Sequence, residues 1–300
     1  MAAKTNVTTS AQFTTSAREV DFVSRFADNW DALRNIMGIM RPIRKAPGTK
    51  LVSYKASVDG VLKGGTVAEG DEIPFTKMKV DPVAYGDIDI NKYAKSVTIE
   101  SVAKYGADVA VEKTDEAFLV ALQNKVLTDF YTFLGTGTLK VTEKTWQRAL
   151  AMAKGKVLDK FAGLDKDVTE VVGFANIIDA YDYLGDKEIT VQTMFGINYV
   201  ENFMGYRTMF LLPEKYIASK KVIALPVENI DLYYVDPSDS DFAKLGLNYT
   251  VKGETNLIGV HVDGDYSRAT GDMYAIMGMK LWAEYLDGIA VATVSVAGAG

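Results

Sequence analysis

His261, the one histidine of the chain, stands two residues before Asp263 and four before Asp265. An imidazole and two carboxylates at that spacing could serve a general base or gather a divalent cation. A Ser-His-Asp triad would have to use His261, yet no motif places a serine beside it, and a structural or surface histidine is the better reading. Asp263 and Asp265 begin like a calcium loop, but Arg268 stands where that turn needs glycine and Tyr274 where the bidentate acid belongs. A solvated turn fits them better. Asp236, Asp239 and Asp241 form a second acidic group, but they flank Pro237 and Ser238, where acids cap turns. Glu284 and Asp287 read as a solvated helix face, not as the opposed carboxylates of a glycosidase. Gly135-Thr136-Gly137 lacks the third glycine and the preceding strand of a dinucleotide fingerprint, and no Gly-x-x-x-x-Gly-Lys phosphate loop occurs. With no cysteine, disulfides, thiolate nucleophiles and cysteine-ligated metals are excluded. No residue is assigned a catalytic, cofactor-binding or metal-ligating role, and the reading is of a protein that is not an enzyme.

Function must then lie in surfaces. The chain has 300 residues, 48% of them hydrophobic and 24% charged, enough for a substantial core in one or two globular domains. A formal charge of −6 with no block of lysine or arginine opposes a grip on nucleic-acid phosphates. Met1 to Ser16 is polar and threonine-rich, so it reads as a mobile arm and neither a signal peptide nor an anchor. No later stretch is apolar for long enough to cross a bilayer; even the rich C-terminal part carries Lys280, Glu284 and Asp287. No self-similar period emerges, so solenoids and propellers are not supported.

The elements that position these residues are organised around the stretch from Leu51 to Leu134. Val52, Tyr54, Ala56 and Val58 alternate with polar neighbours, Asp59-Gly60 reads as a turn, and a tract of Gly64, Gly65, Glu69, Gly70, Asp71, Glu72 and Pro74 follows. The chain returns through Thr76, Met78 and Val80, with Asp81-Pro82 expected to limit pairing at that end. This is a protruding hairpin whose apolar row calls for burial against another copy of the chain. Ile88, Ile90, Tyr93, Lys95, Val97 and Ile99 predict a long strand. A helix from Asp115 to Leu134 follows, capped by Thr114, striped by Phe118, Leu122, Val126, Phe130 and Phe133, and stopped at Gly135 and Gly137. Upstream, Val20, Val23, Phe26, Leu33, Ile36 and Met37 predict a helix between Ser16 and Met40, with Ser16 and Glu19 as a capping box and Trp30 as its anchor. Pro42 and Ala46-Pro47-Gly48 then release the chain into the hairpin.

Downstream, Thr142 to Phe161 predicts a helix with Trp146, Leu150, Ala153, Val157 and Leu158 inward. Val168 to Phe174, Tyr206 to Leu212, Lys220 to Leu225, Leu232 to Val235 and Tyr249 to Val251 read as strands, with Ala175 to Leu184 helical. Val260 and Val262, a polar turn from Asp263 to Asp272, and strands at Tyr274 to Met279 and Ile289 to Val296 complete the pattern, and the last glycines and alanines are expected to fray.

In this succession the chain resembles the major capsid proteins of tailed bacteriophages, whose shell fold is shared with encapsulins and the herpesvirus capsid floor. Glu69-Gly70-Asp71-Glu72-Ile73-Pro74 resembles the family's extended loop, Tyr93 to Tyr105 its strand before the spine helix, and Gly135-Thr136-Gly137 the glycines closing that helix. The resemblance implies an α+β capsid shell fold with an N-terminal arm, an extended hairpin loop, a peripheral domain holding the spine and an α/β axial domain. Its implied division is residues 1–40 for the arm and first helix; 41–50, 86–138 and 255–285 for the peripheral domain; 51–85 for the extended loop; and 139–254 and 286–300 for the axial domain. It further implies hexamers and pentamers closing into an icosahedral or prolate shell around double-stranded DNA, in a virion assembled in the bacterial host cytoplasm. The implied partners are a portal protein at one vertex, a decoration protein in some members, and a separate scaffolding protein. Some relatives carry a long helical scaffolding region before the arm, for which Met1 to Ser16 is too short. Some members weld subunits by lysine-to-asparagine bonds; Lys63, Lys77 and Lys79 lie in the arm, with no acceptor asparagine identified. The alternatives are an encapsulin-like compartment and a two-domain hydrolase built on His261, Asp263 and Asp265.

Overall fold

The computed structural model describes residues 17–37, 39–164, 166–168, 170–185, 191–194, 197–227 and 229–295. Helix α1 (Ala17–Met37) leads to strand β1 (Met40–Arg44) and then to a hairpin of β2 (Leu51–Val58) and β3 (Met78–Gly86). Strand β4 (Ile90–Thr98) passes into helix α2 (Ile99–Tyr105), a single π-helical turn at Asp108–Glu112, and the long helix α3 (Lys113–Leu134). Next come β5 (Leu139–Glu143), α4 (Trp146–Ala162), β6 (Val171–Asn176), α5 (Ile177–Leu184), β7 (Gln192–Met194), β8 (Ile197–Glu201), β9 (Thr208–Leu212) and β10 (Lys221–Pro226). The chain closes with β11 (Ile230–Val235), α6 (Ser240–Ala243), β12 (Thr250–Val251), β13 (Ile258–Asp265), β14 (Thr270–Ala283) and β15 (Ala290–Val294).

Besides the hairpin, two sheets result. Strands β5, β15, β10, β6, β9, β8 and β7 lie in that order in a seven-stranded mixed sheet. Its central strand β6 is buried along its whole length, as a strand covered on both faces must be. Val172 and Phe174 face one side, together with Phe210, Leu212, Ile223, Leu225 and Val291, and join the core that includes Leu122, Val126, Phe130 and Tyr131 of α3. Val171 and Ala175 face the other, with Met209, Leu211, Val222 and Ala224, against Leu150, Ala153 and Val157 of α4. The second sheet has six strands around β14. Gly278 pairs with both Ile90 and Val235, so β4 lies along one edge of β14 while β13 and then β11 follow each other along the opposite edge. Its inward residues Leu232, Val260, Met273, Ala275 and Met277 belong to the same core as α3. At 22 residues α3 is about 33 Å long, and it covers part of both sheets.

Several sequence expectations change. Pro42 lies inside β1, an edge strand parallel to β11, where a missing N–H is tolerated. Asp81-Pro82 does not limit the hairpin: Pro82 pairs with Tyr54 and the ladder runs on to Gly86, because each strand of a two-stranded ribbon keeps a free outer edge. The strand expected to reach Tyr105 ends at Thr98, whose hydroxyl accepts from the Ser101 N–H and starts α2 instead. Thr114 is no cap; the helix runs through it from the π turn, and its hydroxyl donates back to the Ala110 and Val111 carbonyls. Glu19 closes no capping box, since its carboxylate accepts from the Val262 N–H and the Thr250 hydroxyl. The expected arm from Met1 to Ser16 lies outside the described residues, as do the last five. The helix expected from Thr142 splits into β5 and α4, with Thr145 accepting from the Arg148 N–H as the true cap. Leu158 and Val20 are exposed. The expected turn from Asp263 to Asp272 is mostly ladder, with Asp263 opposite Asp272 and Asp265 opposite Thr270.

Phe174 joins the layers, stacked 5.2 Å from Phe210 and set edge-on to Tyr131 at 5.8 Å. Phe174→Ala is expected to cost about 3–5 kcal/mol, and Leu158→Ala on the outer face of α4 under about 1 kcal/mol. Urea unfolding followed by circular dichroism checks this; equal losses at the two positions would contradict the packing described.

Candidate assembly interface

The residues with chemical potential are spoken for by the fold. His261 sits 3.5 Å from the buried Glu19 carboxylate and edge-on to Tyr249 at 6.5 Å. Asp263 accepts from the Gly264 N–H at 2.7 Å, and Asp265 accepts from the Ser267 N–H and hydroxyl at 2.8 and 2.6 Å, closing the β13–β14 turn. These three stand at every second position of β13, on one face of the strand, but their partners are separate: Glu19 for His261, Gly264 for Asp263 and Ser267 for Asp265. Asp236 accepts from the Ser238 hydroxyl at 2.6 Å and from Asn256 at 3.1 Å. Burial would raise its carboxyl, but those hydrogen bonds and Arg44 outweigh burial and hold it below the usual carboxylate range. Asp239 caps α6 through the Asp241 N–H, and Asp241 pairs with Lys244. Glu284 pairs with Arg41 and Lys166, each at 3.3 Å, and Asp287 with Lys160 at 2.6 Å. Among the described residues no group of three or more His, Asp or Glu side chains could hold a metal ion. Gly135 caps α3 and the Gly137 N–H closes the turn onto the Leu134 carbonyl; a β-carbon at Gly137 would lie 2.5 Å from the Ile289 carbonyl oxygen, so glycine also lets the end of α3 abut the start of β15.

An ion triad fastens α1 and β4 to α3. The Arg18 guanidinium donates to both Asp115 oxygens, at 2.5 and 2.7 Å, while Lys95 pairs with the same carboxylate and donates to the Thr114 hydroxyl at 2.5 Å. Burial acts to raise the Asp115 carboxyl, but the two cations prevail and hold it below the usual range; at Lys95 burial wins and the ammonium is pushed down. Sequence patterning put Lys95 in the covered row of β4 without giving it a partner. That lysine is the signal that an acid must meet it.

The arm stands apart from this tied-down interior. Its base is fixed: Leu51 is buried, the Tyr85 ring lies 4.3 Å from Trp282, and Trp282 stacks on Tyr233 at 6.3 Å. Above the base, Val52, Val58, Met78 and Val80 are exposed and Tyr54 is 71% exposed. The tip between the strands is irregular, with Gly60, Gly64, Gly65 and Gly70 at positive φ. It carries exposed Val61, Leu62 and Ile73, and Phe75 at 87% exposure, more apolar surface than its glycines and acids suggested. Lys77 is paired with Asp59 at 2.7 Å and Lys79 with Asp81 at 3.0 Å. No described helix is long and apolar enough to cross a membrane.

A scan against protein-family models finds no match, and neither does a comparison with curated protein sequences. Solved structures do match. The capsid structure of cyanophage P-SCSP1u aligns with a TM-score of 0.55 at 9% identity over 86% of each chain. The asymmetric unit of the mature capsid of bacteriophage PhiM1 gives 0.55 at 8% identity, again over 86% of each chain. The holo-SrpI encapsulin complex of Synechococcus elongatus gives 0.50 at 12% identity, covering 97% of this chain and 94% of the other. The chain therefore has the mixed helix-and-sheet fold of phage capsid subunits and encapsulins.

The triad sets a pH dependence. Because the Asp115 carboxyl is held down in the folded state, its contribution is complete above the ordinary carboxylate value of about 3.9 and is lost as pH falls through the lowered one. The stability advantage of wild type over Asp115→Asn is expected to be level from about pH 7 to 5 and to shrink below about pH 4. Chemical unfolding of both proteins across that range measures it; an advantage that grows on acidification contradicts the assignment.

Proposed function

We propose that this chain is the major capsid protein of a bacteriophage, a structural subunit without catalysis that forms hexamers and pentamers and closes into a shell around double-stranded DNA. The observation that carries this reading is the arm, an apolar ribbon anchored at one end and uncovered above it, on a fold whose matches are container walls. A two-stranded ribbon is marginal in water, and covering it on a neighbouring copy both stabilises it and links subunits. The acidic net charge of −6 suits a wall that encloses DNA without binding its sequence.

In this reading the shell is the virion capsid, built in the bacterial cytoplasm with a separate scaffolding protein, closed at one vertex by a portal protein, and open to a decoration protein. The proposed peripheral domain is residues 41–50, 86–138 and 255–285, with the extended loop at 51–85. The proposed axial domain is 139–254 and 286–300, with β11 reaching across to pair with β1 and β14. Residues 1–40 would be the N-terminal arm and first helix. An encapsulin-like compartment uses the same fold, and the contents of the particles separate the two.

Deleting Asp59 to Glu72 and rejoining the strands by a short turn is expected to leave the secondary structure and core intact while abolishing shells in negative-stain micrographs. Normal shells from the deletion would remove the arm from the mechanism. Nuclease-protected DNA in particles from infected cells supports the capsid reading, and a protein cargo in its place supports the compartment.

A further inference from the structure

Helix α4 has two apolar faces. Leu150, Ala153, Val157 and Phe161 pack inward against the seven-stranded sheet. Ala151, Met152, Gly155, Leu158 and Ala162 stand on the opposite side and are all exposed, Met152 at 39% and Leu158 at 38%. At the helical repeat, Ala151, Gly155, Leu158 and Ala162 fall within an arc of about 60°, and the small residues leave a furrow between Leu158 and Met152. A helix face turned to solvent ordinarily carries charge, but here the charges sit on the flanks, with Lys154 along one border and Arg148 and Asp159 along the other. The helix holds four cations, Arg148, Lys154, Lys156 and Lys160, against Asp159 alone, in a chain of net charge −6. Helix α1 has three cations against four acids and α3 two against three, so α4 is the basic one of the three long helices. Gly155 has no role inside the subunit. Its φ is not left-handed, and a β-carbon there would meet no atom within 4 Å. Glycine in a helix interior is disfavoured relative to alanine, and neither the backbone nor the packing of α4 offsets that loss.

We propose that this face of α4 is the docking site for an amphipathic helix of a separate protein, apolar along one stripe and acidic beside it. Gly155 and its small neighbours let the partner's backbone come close, Met152 and Leu158 lie along the sides of its apolar stripe, and Arg148 and Lys154 meet its carboxylates. Arg148 is 67% exposed in its pair with Glu143, so exchanging that acid for the partner's costs little. The α4 of a second copy is disfavoured as occupant because it would set like charges against each other. A nucleic-acid duplex would engage the cations through its phosphates and leave Met152 and Leu158 uncovered. The face is separate from the arm and serves a different contact.

Fluorescence anisotropy on the full-length protein, with a labelled peptide of repeated Leu-Glu-Glu-Leu-Leu-Glu-Gln heptads as probe, tests the assignment. The peptide is expected to bind saturably at one site per chain, and a version with lysine in place of every glutamate at least about ten-fold more weakly. Gly155→Leu separates a shaped furrow from a surface that is only adhesive, because it adds apolar area while closing the furrow. A loss of about ten-fold or more is expected, with the fold kept by circular dichroism. Gly155→Ala is expected to raise the melting temperature by about 1–3 °C, since no contact within the subunit is lost, and still to weaken binding. Arg148→Gln is expected to weaken it about three-fold. Absence of saturable binding, equal affinity for the lysine version, unchanged or increased affinity in Gly155→Leu, or tighter binding of a DNA duplex than of the acidic peptide overturns the proposal.

Discussion

Burial of α3 against two sheets at once is the constraint on which the rest of this structure depends. Its residues Leu122, Val126, Phe130 and Tyr131 share one core with Phe174 and Phe210 of the seven-stranded sheet and with Leu232, Met273 and Met277 of the six-stranded sheet. Close-packed interiors transmit strain and do not yield to it, so a helix shared in this way holds both sheets to one relative geometry. Each attachment at its ends follows from that role. At its start Asp115 collects Arg18 from α1 and Lys95 from β4, and at its end Gly137 lets the chain turn directly against Ile289.

With the interior fixed, the arm is free to be specialised for contact. Tyr85 and Trp282 anchor its base on the six-stranded sheet, while Tyr54 and Phe75 reach solvent higher up. Under the proposed function, rigid body and projecting ribbon would divide the two tasks of a wall subunit, keeping its shape and holding its neighbours. The fold shared with phage capsids and an encapsulin complex is consistent with that division.

The longer helices α1, α3 and α4 and the arm can be read from the sequence because their apolar periods are regular and glycine or proline stands near their ends. Reading failed where a short element depends on a distant partner. Strand β1 contains a proline and exists only because β11 lies beside it, and β5 is recruited by β15, far along the chain. The alternation of β4 runs on through Ile99 in the sequence, yet the Thr98 hydroxyl ends the strand and starts α2. Glu19 looks like a capping acid but is spent on Val262 and Thr250 of the six-stranded sheet. The ion triad unites positions 18, 95 and 115, which no local pattern connects. The arm, by contrast, is legible as a projecting apolar hairpin because alternation and turn residues are local information.

Cryo-electron microscopy of particles formed by the purified protein tests the central claim most directly. The account predicts closed shells in which the β2–β3 ribbon lies on an adjacent subunit, with Tyr54 and Phe75 buried in that contact. A monodisperse monomer at every concentration and salt tried, or shells in which the ribbon projects free of any neighbour, would contradict it.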